Sequence, residues 1–195
     1  MVILNEKQDE LDDECSRKGE LHLILGPMFS GKTTKLIEYS QKYENKVIIN
    51  YAGDTRYHPT LLSTHDQIMT PCIQTYELTA LFCHKEVISA EAIFINEGQF
   101  FGDLFDTVVK WVDEEGKRVF VCGLDGDFQR KPIGDIHLLI SLCDTLEKLR
   151  ARCSLCSLPA PFTRRTTTEQ SQIMIGSDEY IPLCRGCYLG SLTSF

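Results

Sequence analysis

The 195-residue sequence has no apolar run approaching the roughly 18–20 residues that a membrane span requires. It has no internal repeat and no low-complexity tract. Its first twenty residues lack the apolar stretch of a secretory signal. Positive charge is in deficit: 20 Lys and Arg stand against 28 Asp and Glu, for a net charge of -8. That balance disfavours a general nucleic-acid binder. These absences predict a cytoplasmic chain without a membrane partner and without stable nucleic-acid binding. In a reducing compartment, paired cysteines signal metal rather than disulfides.

What is present is an ordinary globular composition, 43% hydrophobic and 25% charged, which argues against global disorder, collagen or a coiled coil. The length allows one large domain, or a large one with a small one. Residues Met1 to Glu20 hold seven acids against three bases, which is half of the net charge. Residues 1–18 are therefore expected to form an acidic, solvated tail.

From Leu21 the pattern changes. Apolar stretches Leu21–Leu25, Val47–Tyr51, Ala92–Ile95 and Val119–Leu124 read as strands. Helical spacing is expected over Thr33–Glu44, Leu78–Cys83 and Leu104–Val112, and a polar loop over Gly53–Gln67. Ile136–Cys143 and Leu146–Leu149 complete this part. Short apolar strands alternating with helices imply an α/β fold with a parallel sheet covered on both faces. After Arg150 the alternation stops. Residues 19–150 are expected to form this α/β domain and 151–195 a small metal-stapled lobe.

Gly26-Pro27-Met28-Phe29-Ser30-Gly31-Lys32-Thr33 fits the pattern G-x-x-x-x-G-K-[ST], between a strand and a helix. Such a loop wraps backbone N–H groups around phosphate oxygens, and the following helix aims its positive end at the anion. Lys32 is expected to reach the β- and γ-phosphates and the Thr33 hydroxyl to bind Mg²⁺. The third strand ends in Asn96-Glu97. Strands of open α/β sheets deliver functional groups at their carboxyl ends, so Glu97 is a candidate general base. The alternative is that it caps the next helix or supports the metal in place of Asn96.

Cys153-x-x-Cys156 and Cys184-x-x-Cys187 are two knuckles. Four thiolates suit a tetrahedral Zn²⁺ and leave no open position, which predicts a structural zinc. A redox pair or a catalytic metal is the alternative. Cys15, Cys72, Cys83, Cys122 and Cys143 are scattered and expected to be inert. Lys148, Arg150, Arg152, Arg164 and Arg165 form a basic stretch that is a solvated face or a phosphate contact.

The sequence resembles the zinc-containing P-loop thymidine kinases of animals, bacteria and large DNA viruses, from about Leu21 to Tyr188. The likeness rests on the cradle with Thr34, on Asp54-Thr55-Arg56-Tyr57, on Glu97-Gly98-Gln99-Phe100-Phe101, on Leu124-Asp125-Gly126 with Phe128-Gln129-Arg130-Lys131-Pro132, and on the two knuckles. It implies a RecA-like P-loop sheet with a C-terminal zinc-ribbon lobe carrying a lasso-like lid. It implies transfer of the γ-phosphate of ATP to the 5′-hydroxyl of thymidine with Mg²⁺, deoxyuridine being a second substrate. Gly26 to Thr33, Asp54, Thr55, Arg56, Asn96, Gly98 and Gln99 match the family's ATP site. Glu97 matches its base. Met28, Phe100, Leu124 and Phe128 match the walls of the base pocket. Gln172, Ile173, Met174, Ile175, Gly176 and Tyr180 match the lid. Feedback by dTTP and a homotetramer or dimer are implied as well.

The chain departs from the family pattern at four places. Asn96 replaces the usual Asp, Ile133 stands where Phe is common, and Gln172 stands where an apolar residue is common. The turn Gly176 to Tyr180 is one residue shorter. Two other functions share parts of this pattern: a RecA-like ATPase stimulated by nucleic acid, and a catalytically weakened nucleotide-binding zinc module.

Overall fold

The computed structural model describes residues 19–54, 61–63, 69–174, 176 and 178–190. The acidic stretch 1–18 lies outside them.

Six parallel strands form the central sheet: β1 (Glu20–Leu25), β2 (Lys46–Tyr51), β5 (Ile73–Thr75), β6 (Ala92–Asn96), β7 (Arg118–Gly123) and β8 (Thr145–Lys148). Their spatial order is β5-β2-β6-β7-β1-β8. Side chains alternate across a strand, and here both faces are apolar. Leu21, Leu23, Leu25, Val47, Ile49, Ile93, Ile95, Val119 and Val121 face one layer, with Leu104, Val108 and Trp111. Ile24, Ile48, Phe94, Phe120 and Cys122 face the other, against Leu36 and Ile37. This two-sided burial explains why the strands read as continuous apolar runs.

Helix α1 (Lys32–Ser40) follows β1 and covers the second face. It is shorter than the expected 33–44. The Ser40 hydroxyl donates to the Ile37 carbonyl at 2.8 Å. Lys42 N–H and Tyr43 N–H then reach back three residues, to Tyr39 and Ser40, and close the turn.

The expected polar loop contains β3 (Leu61–Ser63), which pairs antiparallel with β4 (Met69–Pro71) just beyond it. The three-residue edge strand β5 is too short to leave a periodic signal. The helix expected at 78–83 is one 3₁₀ turn, Thr79–Leu81. Distant Asp103 caps it, accepting from Thr79 N–H at 2.8 Å and from its hydroxyl at 2.9 Å. A short helix follows, α2 (Lys85–Ser89). Helix α3 (Leu104–Val109) widens into a π turn at Lys110–Glu114, where Glu115 N–H reaches the Lys110 carbonyl five residues back at 3.1 Å. Residues Ile136–Ser141 form 3₁₀ turns.

Beyond β8 come two small antiparallel pairs: β9 (Ala151–Arg152) with β10 (Pro159–Ala160), and β11 (Phe162–Arg165) with β12 (Tyr180–Leu183). Helix α4 (Arg185–Gly190) follows. Among the described residues the buried apolar cluster of this lobe is small: Ala151, Cys153, Ala160, Leu183 and Tyr188. So small a core needs a staple.

Candidate active site

The site lies at the carboxyl ends of β1, β6 and β7, where open α/β sheets place their ligands. The cradle leaves β1 at Gly26. A Cβ there would lie 2.8 Å from the Leu149 carbonyl oxygen and 2.9 Å from Ser30 Oγ, so only glycine fits. Gly31 turns the chain into α1 with φ 81°, ψ 19°, a left-handed conformation that costs glycine little. Ser30 Oγ and Lys32 Nζ each donate to the Pro27 carbonyl at 2.8 Å. Lys32 is buried, so its ammonium is held beside the loop rather than in solvent.

Strand β7 stands between β1 and β6, yet the cradle reaches β6 directly. Thr33 Oγ1 donates to Asn96 Oδ1 at 3.1 Å. Asn96 Nδ2 donates to Asn50 Oδ1 at 2.8 Å, and Asn50 Nδ2 donates to Gln74 Oε1 at 3.2 Å. A relay of neutral amides therefore runs from β5 through β2 and β6 to the cradle threonine. The Cys122 thiol donates to Asn96 Oδ1 at 3.0 Å. Burial, with the Glu97 charge nearby, pushes that thiol up to about 12, so it stays a donor.

Glu97 follows Asn96 with φ 54°, ψ 43°. A left-handed glutamate costs about 1–3 kcal/mol and is found where surrounding structure enforces it. Gln99 supplies part of that enforcement. Its Nε2 donates to Glu97 Oε2 at 2.7 Å, and its Oε1 accepts the Leu124 N–H at 2.9 Å. The carboxylate is thus tied through Gln99 to the end of β7.

Asp54 is buried beside the end of β2. Thr55, Arg56 and Ile175 lie outside the described residues. Phe100 packs on Tyr51 with ring centroids 5.3 Å apart. Phe128 is buried, while Leu124 and Met28 are partly exposed. Gly98 is buried at the start of a 3₁₀ turn, Gly98–Phe100.

The lobe reaches into the site twice. Thr163 Oγ1 accepts the Met28 N–H of the cradle at 3.0 Å. Thr166 N–H donates to the Glu179 carbonyl at 2.8 Å, next to the last pair of the β11–β12 ladder. Tyr180 Oη donates to the Met174 carbonyl at 3.1 Å, and Gln172 Nε2 donates to Asp127 Oδ2 at 2.9 Å. Ile173 is exposed, and Gly176 lies close to the Glu179 carboxylate.

Thr163, Asp127, Asn50 and Gln74 were not anticipated, and Arg165 was read only as part of a basic stretch. Residues 163 and 165 lie on one face of a four-residue strand and are both buried, and a buried arginine requires partners.

The four knuckle sulfurs lie within 4.8 Å of one another, with Cys156 and Cys184 Sγ 3.5 Å apart. Thiolates around a tetrahedral Zn²⁺ stand about 3.8 Å apart, given Zn–S bonds of about 2.3 Å. The donor set fits. The thiols also compete for protons. Burial opposes ionisation of Cys153, but backbone groups of Cys184, Leu155 and Cys156 outweigh it and hold this thiol at about 6. Hydrogen bonds with Cys156 and Cys184 push Cys187 up to about 12. A divalent cation would remove that competition.

A glycine-framed cradle on a parallel sheet, a strained glutamate at the end of β6 and a lobe whose four cysteines could hold a metal ion define a protein of the P-loop nucleotide-binding class. The thymidine kinase family model matches residues 19–188, and the chain belongs to that family. It is 39% identical to a thymidine kinase of Oryza sativa subsp. japonica over 191 residues, covering 92% of this chain and 69% of the relative. It is 39% identical to the thymidine kinase of Yaba monkey tumor virus over 178 residues, covering 89% and 96%. Against the cytosolic thymidine kinase of Gallus gallus the identity is 36% over 176 residues, covering 88% and 77%. No helix among the described residues is long and apolar enough to cross a membrane.

Proposed function

We propose that this chain transfers the γ-phosphate of ATP to the 5′-hydroxyl of thymidine, with deoxyuridine as a second substrate, giving dTMP for DNA precursor synthesis. The observation that carries this reading is the extent of the family match, which runs through the cradle, Glu97 and the cysteine lobe together.

Phosphoryl transfer depends on positioning and on neutralising charge. Gly26 to Lys32 present backbone N–H groups and one ammonium to the donor's phosphates. Asp54 to Arg56 and Asn96 to Gln99 complete the donor site. Thr33 offers its hydroxyl to Mg²⁺, which when bound neutralises phosphate charge. Glu97 takes the proton of the attacking hydroxyl, and Gln99 fixes the direction of its carboxylate. Met28, Phe100, Leu124 and Phe128 wall the base, and residues 172–180 close over it and exclude water. Residues 19–150 act as the nucleotide-binding domain. Residues 151–195 act as a zinc lobe whose metal anchors the lid. Feedback by dTTP, a homotetramer or dimer, and a cytoplasmic location complete the proposal.

The test is a panel of nucleosides incubated with Mg-ATP and scored for 5′-monophosphate, with and without a zinc chelator. Thymidine-dependent ADP formation is expected. ADP formation that needs nucleic acid instead of a nucleoside would point to a motor. Nucleotide binding without any transfer would point to a weakened zinc module, the reading that the neutral Asn96 favours.

A further inference from the structure

Arg165 is 4% exposed, on the face of β11 that also carries Thr163. An arginine has five N–H donors in a planar fork, and four of these are committed. Nη1 donates to the carbonyls of Glu169 at 2.9 Å and Ser171 at 2.5 Å. Nη2 donates to the Gln172 carbonyl at 3.3 Å and the Tyr180 hydroxyl at 2.6 Å. Nε–H has no partner among the described residues. The Tyr180 hydroxyl in turn donates to the Met174 carbonyl at 3.1 Å. One buried cation therefore fixes the backbone leading into the lid at Glu169 and Ser171, and the lid itself at Gln172 directly and at Met174 through tyrosine.

The same guanidinium lies 3.9 Å from the centre of the Phe128 ring. A cation on one face of an aromatic ring holds it in place and leaves the other face for a stacked base. The loop bearing Phe128 is itself rigid. Asp127 Oδ1 accepts the N–H groups of Gln129 and Lys131, each at 2.8 Å. Gln172 then ties lid to loop, through Asp127 Oδ2 and the Pro132 carbonyl at 3.1 Å.

We infer that Arg165 is a positioning residue of the nucleoside site. It sets the lid backbone and the Phe128 ring as one unit, so that lid order and base recognition rise and fall together. This rests on residues 172–180 being a nucleoside-closing loop. The planar fork is required. A lysine ammonium is a single point of charge and cannot span four separated acceptors while stacking on a ring.

The test compares Arg165→Met and Arg165→Lys with the unmodified full chain, with zinc content checked in each. Three quantities are read: hydrogen exchange across residues 166–174, KM and kcat for thymidine, and ADP affinity. In Arg165→Met, lid exchange is expected to speed by about tenfold or more. The thymidine KM is expected to rise by a similar factor, with a smaller change in kcat. ADP affinity should stay within about twofold. Lysine should restore neither lid protection nor KM. Native-like lid exchange in Arg165→Met overturns the inference, and so does full rescue by lysine. Should Arg165→Met lose zinc or fail to fold, Tyr180→Phe carries the test, since it removes one acceptor of the fork and the link to Met174. Unchanged lid exchange in that variant overturns the inference as well. If the unmodified chain does not phosphorylate thymidine, the proposed function fails, while the exchange measurements still decide whether Arg165 orders the lid.

Discussion

The Met28 N–H of the cradle donates to Thr163 Oγ1 on β11 at 3.0 Å, across 135 positions of sequence. The phosphate loop is thereby fastened to the cysteine lobe. Structural zinc binding is worth about 10–16 kcal/mol in small metal domains, against about 5–15 kcal/mol for the stability of a whole domain. Chelation is therefore expected to loosen the lobe and, through Thr163, the cradle. ADP affinity measured calorimetrically should fall along with thymidine affinity. Thr163→Val, which keeps the shape and removes the acceptor, should weaken ADP binding by a few-fold to about tenfold. ADP affinity unchanged by both treatments would show that the lobe does not brace the cradle.

Glu97→Gln removes the proton acceptor and keeps the size of the side chain. Turnover should fall by about 10²–10⁴, the usual contribution of a general base, with thymidine affinity nearly unchanged. Near-native turnover would exclude Glu97 from that role.

Lys32→Ala should abolish detectable transfer and weaken ATP binding, because the ammonium beside the Pro27 carbonyl is the cradle's own cation. Zinc content, measured by metal analysis, should not change. Retained turnover would remove the cradle from the mechanism.

Asn96→Asp adds a charge to a neutral relay. The carboxylate should lower the Mg²⁺ concentration needed for half activity. It would also face Asn50 Oδ1, an acceptor against an acceptor. Relief requires Asn50 to turn, which disturbs its bond to Gln74. A cost of about 1–3 kcal/mol corresponds to a midpoint lower by roughly 2–12 °C in thermal unfolding. An unchanged Mg²⁺ response would show that position 96 does not tune the metal, and an unchanged midpoint would show that the relay adapts freely.

On the edge strand β8, Glu147 accepts hydrogen bonds from Tyr39 and His22, the latter at 2.9 Å. Partial burial opposes the Glu147 charge, but these two partners outweigh it and lower the carboxyl below its usual range. Its contribution to stability is present above the ordinary glutamate value and is lost as pH falls through the lowered one. Tyr39 is raised to about 12, chiefly by its bond to Glu147. Its contribution is complete below the ordinary value of about 10 and is lost as pH rises through about 12. Unfolding midpoints measured across pH should therefore decline less steeply in acid for Glu147→Gln and less steeply in alkali for Tyr39→Phe. Profiles parallel to the unmodified chain would show that this cluster does not govern the pH response.

The cradle and the two knuckles were legible in the sequence because each is a short-range pattern. A glycine-framed turn before a helix has one economical geometry, and Cys-x-x-Cys spacing brings two thiols together wherever the segment folds. The core strands were legible because two-sided burial writes a continuous apolar run. Boundaries failed where distant groups decided them. Asp103, 24 positions away, caps the turn at Thr79 and limits it. Helix α1 ended early for a local reason: the N–H groups of Lys42 and Tyr43 bond three residues back, to Tyr39 and Ser40, instead of four.

The sequence by itself determined the glycine-framed turn, the parallel α/β class and the four-cysteine set, and it pointed to Glu97 as a candidate base. Each follows from local backbone preference, side-chain alternation or ligand spacing. Only the tertiary structure decided that Thr33 meets Asn96 across 63 positions, that Asn96 is held by Asn50, and that Arg165 binds the Gln172 carbonyl while lying over Phe128. Those contacts depend on the order in which strands lie side by side and on which buried donors find acceptors. That order is set by packing the whole chain, because an unpaired polar group in the interior costs too much to leave.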